Sequence, residues 1–476
     1  MTTVRILALM GLVSSLLLSC SGTGTDMGSG AGEWSRFRGP NGSGVSSTVG
    51  LPVDLGPDEN VDWKVSVPFG RSSPVVSRER VFLTAVEDGK LITMGFDRGS
   101  GEELWRREWE RAEVADFHHD TDSATPTPVT DGTNVYVFFQ EAGLVSYDSA
   151  GNERWKLPLG PFRNFYGMAS SPVLAGRTLV LVCDQAEGSF IVAVDRDTGK
   201  EVWRRNRPAR LESYSTPVLY PDVVHPQRVL VNGSRWVDAY DLTTGDDVWS
   251  LGGLGSGPIA SPVLAGGILL VNAPDHAEHG WAEFTGILAE HDQDKDGELS
   301  REDVAGVWLE EHFGWLDADA SGTISAEDWA RIGAEMVNDH WGVFAIDVPA
   351  DGGEATIKWN YRRNVAHIPS SLVHDGVFYM VDDGIVTSLD LETGALLKRG
   401  RLGSGSPKVY ASLVAADGKL YIGTLEGQMV VLELGDEWTV LKTNELGEEI
   451  WASPAIAGGH LYLRTRGTLY SFSSRT

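Results

Sequence analysis

The chain has 476 residues, 42% of them hydrophobic, and a formal net charge of −28. A chain of this size can bury a large core, and 56 Gly with 16 Trp fit many turns and many buried aromatic anchors. The acidity argues against nucleic acid as a partner, because phosphate contacts need a basic face; it favours solubility and cation binding.

Residues 1–19 read as a targeting segment, with Arg5 as the positive start and Ile6 to Leu18 as an apolar stretch too short to span a bilayer comfortably. Its end, Leu17-Leu18-Ser19-Cys20, resembles a bacterial lipobox. That resemblance implies that Cys20 is lipidated and opens the mature protein, anchored to a membrane in an extracytoplasmic space. Ser21 after it resembles the choice that sorts lipoproteins to the outer membrane, facing the periplasm. Residues 20–33 are rich in Gly, Ser and Thr and read as a flexible tether. Cys183 is then the one remaining cysteine, so no intramolecular disulfide is possible. It follows Leu179-Val-Leu-Val182 and is expected as a buried, inert thiol.

A repeat follows, clearest at Ala193-Val-Asp195-Arg-Asp-Thr-Gly199-Lys-Glu-Val-Trp203. It predicts a strand, a tight turn and a second strand. Asp195 accepts backbone hydrogen bonds of the turn, Gly199 supplies a positive φ, and Trp203 puts a flat apolar body between sheets. The pattern recurs with Asp97, Gly101 and Trp105, with Asp148, Gly151 and Trp155, and with Asp241, Gly245 and Trp249. A further copy keeps Asp390 and Gly394 but has lost the tryptophan. Each copy is preceded by a Ser/Thr-Pro start, at Ser73, Thr127, Ser171, Thr216, Ser261 and Ser453, with degenerate starts read at Ser371-Leu372 and Ser412-Leu413. The starts recur about every 41–54 residues, save one gap of about 110, the period of a β-propeller with four short strands per blade. The Asp-x-x-x-Gly-x-x-x-Trp pattern resembles the tryptophan-docking repeat of PQQ-like (quinoprotein-like) propellers. The expected fold is therefore all-β, an eight-bladed β-propeller of that type.

Phe37-Arg-Gly-Pro-Asn-Gly-Ser-Gly44 resembles the opening of lipoprotein and secreted PQQ-like propellers of environmental bacteria. Asn60 to Val65 looks like an outermost strand with no strands of its own before it, and the last unit has only three. The two fragments are expected to complete one blade and close the ring, which removes an exposed edge. The segments with His118 and His119 and with Arg163 and Tyr166 also resemble that subfamily. They lead into innermost strands, as do the segments with Arg71, Tyr214, His367, Lys408, Tyr410 and Trp451. Such segments ring the mouth of the central channel, so these ten residues form a candidate ligand site.

The long gap holds about 65 extra residues, between the second and third strands of the fifth blade, with bounds read as 275–340 and propeller on either side (34–274 and 341–476). Asp292, Asp294, Asp296, Gly297, Glu298 and Asp303 in one loop, and Asp317, Asp319, Ser321, Gly322, Thr323 and Asp328 in a second, match the twelve-residue EF-hand pattern. Alternate oxygen ligands on a tight loop suit Ca²⁺, a hard cation. Position 12 is Asp303 or Asp328 rather than Glu, which lowers the expected affinity. Helices are predicted around Trp281, Phe284 and Leu288, around Val304 and Trp308, and around Trp329, Ile332 and Met336. Asp275-His276-Ala-Glu278-His279 is a weaker metal candidate.

The reading favoured by these features is a monomeric, membrane-anchored, calcium-binding propeller that acts as a non-catalytic scaffold for a protein or glycan partner. The alternative is a quinoprotein dehydrogenase acting on alcohols or sugars. The family's enzymes imply PQQ, a catalytic calcium with an aspartate base and, in many members, a vicinal disulfide. This chain has no Cys-Cys pair and no Asp that stands out as the base, so PQQ is not expected. A third reading is an outer-membrane protein assembly factor, for which EF-hand loops have no evident use.

Overall fold

A computed structural model describes residues 32–111, 118, 120–208, 210–273, 281–317, 321–336, 340–403 and 405–474. The strands form eight four-stranded antiparallel sheets. In the first blade, Val75–Val76 lies innermost, followed by Arg80–Glu87, Lys90–Asp97 and Glu103–Glu110. Six further blades repeat that order, and the eighth differs only in the origin of its outer strand. Middle strands such as Val135–Phe139 and Thr178–Cys183 are apolar and almost wholly buried, because neighbouring sheets cover both faces. Outer strands such as Glu153–Leu157 alternate, with Trp155 the buried position. Cys183 is fully buried, and burial pushes its thiol well up, so it stays protonated.

In the first, second, third and fifth blades the repeated tryptophan locks the blade to the next. Trp105 donates from Nε1 to Ser149 O at 3.1 Å, and Trp155 to Arg196 O at 2.8 Å. The indole lies flat on the turn glycine of the following blade: a Cβ on Gly151 would sit 2.6 Å from Trp105. The same pairing joins Trp203 to Gly245 and Trp359 to Gly394. Where the sixth blade lacks its tryptophan, Lys398 reaches across instead. Its Nζ donates to Trp438 O at 2.8 Å and lies 4.9 Å from that ring.

The ring closes as the sequence predicts. Val61–Ser66 pairs antiparallel with Thr468–Phe472 and is the outermost strand of the eighth blade. Trp63 on that strand docks on Gly101 of the first blade and donates to Arg98 O at 2.9 Å. One N-terminal strand thus supplies both the pairing and the docking contact at the seam.

Upstream of it, residues 34–46 form a strap that the sequence did not announce. Trp34 exchanges backbone bonds with Val76, Ser35 O accepts from Thr130 N, Asn41 exchanges two bonds with Leu219, and Ala415 N donates to Gly44 O. All four contacts fall on innermost strands, past the residues by which the chain enters them. The strap therefore crosses the channel end opposite the mouth.

The Ser/Thr starts also do more than mark blades. Ser73 N donates to Thr127 Oγ1 at 3.0 Å, Thr127 N to Ser171 Oγ at 2.9 Å, and Ser171 N to Thr216 Oγ1 at 3.0 Å. The chain of bonds continues through Ser261, Ser370, Ser412 and Ser453 and returns to Ser73 Oγ at 3.1 Å. This corrects the register read for the sixth blade. The ring member is Ser370, with Ser371 in the proline position, because the strand Leu372–His374 begins two residues after it, as Val75 does after Ser73.

Between Ile268–Ala273 and Gly342–Asp347, the second and third strands of the fifth blade, stand helices α1 (Phe284–His291), α2 (Trp308–Leu316) and α3 (Ala326–Met336). They share a core of their own around Leu299, Phe313, Ile324 and Trp329. One predicted helix is shorter than expected. Residues 301–307 form turns and α2 starts only at Trp308, because Gly306 takes φ +78°. Val304 is buried outside any helix, and Trp308 is half exposed rather than in the core.

Candidate functional site

Segments leading into the innermost strands enclose a cavity of about 310 Å³ on the channel axis. Arg71, Tyr166, Tyr214, His367, Tyr410 and Trp451 line it, together with all eight ring hydroxyls. Its floor carries Phe37 of the strap. Arg71 pairs with Asp122 at 2.9 Å and lies 4.5 Å from the Trp451 ring. Tyr410 donates to Asp120 at 3.3 Å. Burial, then the nearby Asp120, pushes the Tyr166 hydroxyl up to about 12. The Tyr214 hydroxyl is also raised well above its ordinary value, first by burial and then by Glu212.

The other predicted mouth residues separate. The His118 ring packs on Phe165 and Tyr166 at centroid distances of 5.4 and 5.1 Å, and its Nδ1 accepts from Asp120 N. Arg163 is turned to the helical insert, where Nη2 donates to Asp317 O at 2.9 Å. Lys408 is exposed and lines no part of the cavity; its backbone bonds to Glu426 and Leu425 hold the segment, not a ligand. His119 lies outside the described residues, as do Cys20, Asp319 and the His276–His279 cluster.

The insert stands on the mouth face, as a turn between second and third strands must. Phe165 meets the rings of His312 and Trp315 at 5.0 and 5.5 Å, and Arg235 donates to Ala334 O. A second cavity of about 250 Å³ opens between the two parts. Tyr166, Tyr214 and His367 line both cavities; Glu212, His312, Trp315 and Arg331 line only the second. No periodic signal marked those four residues. Below this rim, buried Arg207 pairs with Asp184 at 2.6 Å and Asp238 at 3.0 Å, and Ser213 donates to Asp184. This satisfied network holds the segment that presents Glu212 and Tyr214.

The two acidic loops of the insert lie back to back. Leu299 and Ile324 exchange backbone bonds at 3.1 and 2.8 Å and are fully buried. Carboxylate oxygens of Asp292, Asp294 and Asp296 come within 4.8 Å of one another. Asp292 accepts from Lys295 N and Gly297 N, and Asp317 accepts from Gly322 N at 3.1 Å, so each first residue braces its own turn. Gly297 and Gly322 have φ +92° and +96°, values closed to other residues. The Asp296 amide lowers the pKa of Asp294, yet partial desolvation and the carboxylates around it leave it above its ordinary value. Asp303 takes Gln293 N on one oxygen and Ser300 on the other, and these bonds hold its pKa down. Ser325 donates from N and Oγ to one oxygen of Asp328. Thr323 donates to Glu298 at 2.6 Å and ties the loops together.

Residues 45–228 and 337–476 match the family described as outer membrane protein assembly factor BamB. The chain belongs to this family. The stretch outside the match, 229–336, holds helices α1, α2 and α3 together with strands of the fourth and fifth blades. BamB of Burkholderia pseudomallei (strain K96243) is 26% identical over 253 residues, covering 51% of this chain and 60% of that protein. The serine/threonine-protein kinase AfsK of Streptomyces griseus is 30% identical over 170 residues, covering 36% of this chain and 20% of the kinase. The chain thus spans less than two thirds of either relative. Among solved structures, BamB from Moraxella catarrhalis superposes with a TM-score of 0.54 at 13% identity, covering 86% of this chain and 97% of that one. A europium-containing methanol dehydrogenase superposes with 0.61 at 9% identity, covering 93% and 98%. At these identities the likeness establishes the fold alone.

Proposed function

We propose that the protein is a lipid-anchored, extracytoplasmic scaffold of the BamB family that engages a protein partner at its mouth face, and that its insert is an EF-hand pair holding Ca²⁺. The observation that carries the reading is the pair of acidic loops braced back to back on that face. Asp292, Asp294, Asp296, Glu298 and Asp303 would hold one ion; Asp317, Asp319, Ser321, Thr323 and Asp328 would hold the other. The donors fit, being hard oxygens on glycine-turned loops. Calcium would supply charge and rigidity, not chemistry. The family's description as an assembly factor supports a protein over a glycan as partner.

Lipidation is tested by Cys20→Ala. That variant should leave the membrane fraction or remain unprocessed; processing and fractionation identical to the parent would refute the anchor. The scaffold reading is tested by adding PQQ with Ca²⁺ and following dye reduction with alcohols and sugars. No turnover above the protein-free rate is expected, and robust PQQ-dependent reduction would overturn the assignment in favour of a dehydrogenase.

A further inference from the structure

The strap buries two guanidiniums beside the channel floor. Arg36 is 4% exposed and Arg38 fully buried. Among the described residues neither has a carboxylate partner. Arg36 donates to Pro217 O at 2.7 Å, and Arg38 donates to Ser371 O and, at 3.4 Å, to Ser43 O. Nε and Nη1 of both residues are buried without an acceptor. Elsewhere this chain buries guanidiniums in both ways: Arg207 pairs with two aspartates, whereas Arg464 is held by the backbone carbonyls of Pro68, Ser72 and Thr84. An unpaired buried cation is costly and calls for an anion nearby. Burial pushes both arginines down to about 9, and Arg36 adds to the effect on Arg38, so the two charges feel each other. At neutral pH both remain charged.

Pro217 and Ser371 each directly follow a member of the hydroxyl ring. The guanidiniums therefore bond one residue below that ring, on either side of Phe37. Each ring hydroxyl already accepts a backbone N–H. What each retains is its own O–H, and all eight line the axial cavity. Eight hydroxyl donors above two uncompensated cations make an electropositive waist in a chain of net charge −28. Above the waist the walls are aromatic, with Tyr166, Tyr214, Tyr410 and Trp451. Among the described residues Asp120 is the one carboxylate in the lining, and it stands at the mouth with Tyr410, where it disfavours a second negative charge.

We propose that the axial cavity binds a small organic carboxylate, its anionic end at the hydroxyl ring over Arg36 and Arg38 and its apolar body among the aromatic walls. About 310 Å³ lies at the lower end of the small-molecule range of about 300–1,000 Å³. The site stands apart from the acidic loops.

Benzoate, benzamide and chloride distinguish the possibilities, followed by calorimetry and by tryptophan fluorescence with Trp451→Phe as the control for the signal. Benzoate should bind one per chain, at least about tenfold tighter than neutral benzamide or chloride. Arg38→Met should weaken benzoate about tenfold or more. Because that change alters the strap, Thr216→Val provides a second variant: it keeps the side-chain shape, removes one ring hydroxyl, and should weaken benzoate by about threefold or more. Equal affinity for benzamide, chloride binding as tightly as benzoate, no binding of any, or unchanged benzoate affinity in both folded variants would each overturn the proposal.

Discussion

A chain that begins at Pro68 should fail to fold cooperatively, whereas one that begins at Pro57 should fold and melt at a lower temperature than the full chain. The first deletion removes Val61–Ser66, so Thr468–Phe472 becomes an open edge with unpaired backbone groups. It also removes Trp63, 9% exposed and docked on the first blade. Losing one such buried aromatic costs about 3–5 kcal/mol, and a missing strand costs more. Net stabilities of about 5–15 kcal/mol leave little margin for both. The second deletion spares the strand but takes away Trp34, Leu51 and Leu55, which sit in the same core cluster as Trp63. Thermal melts followed by circular dichroism check both outcomes. A chain beginning at Pro68 that melts as sharply, and at the same temperature, as the full chain would show that the seam carries no stability.

Chelation of calcium should loosen the insert and leave the propeller intact. EF-hand modules outside the cytoplasm work with dissociation constants of about 10⁻⁴–10⁻³ M. At calcium about tenfold above that constant, linkage contributes about 1.4 kcal/mol per site. Two sites together shift the opening of the insert by about a hundredfold. That suffices for a helical unit whose core is about a dozen side chains, and it does not bear on eight interlocked blades. Hydrogen exchange should therefore speed up at Leu299 and Ile324 when chelator is added, with the amides of Thr178–Cys183 unchanged. Asp292→Ala combined with Asp317→Ala should behave like chelation. The effect should reach the mouth, because Arg163 holds Asp317 O and the second loop joins α2, which carries His312 and Trp315, to α3, which carries Arg331. Exchange at Leu299 and Ile324 that is indifferent to calcium, or calorimetry without a heat of binding, would end the EF-hand reading.

By itself the sequence determined the blade count, the ring closure and the place of the insert. Each rests on a local, repeated code: an Asp that closes a turn, a Gly at positive φ, a Trp on the next strand, a Ser or Thr two residues before each inner strand. Repetition makes such a code legible even where one copy is weak, although the sixth blade was read one residue out of register because Ser371 replaces the proline. The mouth residues were legible only as positions in connections. Rotation of each side chain then separated them, so that Arg71 and His367 face the axis, Arg163 serves the insert and Lys408 points to solvent. The strap was decided by tertiary structure alone. Phe37 becomes a floor, and Arg36 and Arg38 become buried charges, through contacts to blades 181 and 333 residues away. A segment used once, with no period and with partners that far along the chain, leaves no local signature. Its burial follows from the closed ring, whose far end only this stretch crosses among the described residues.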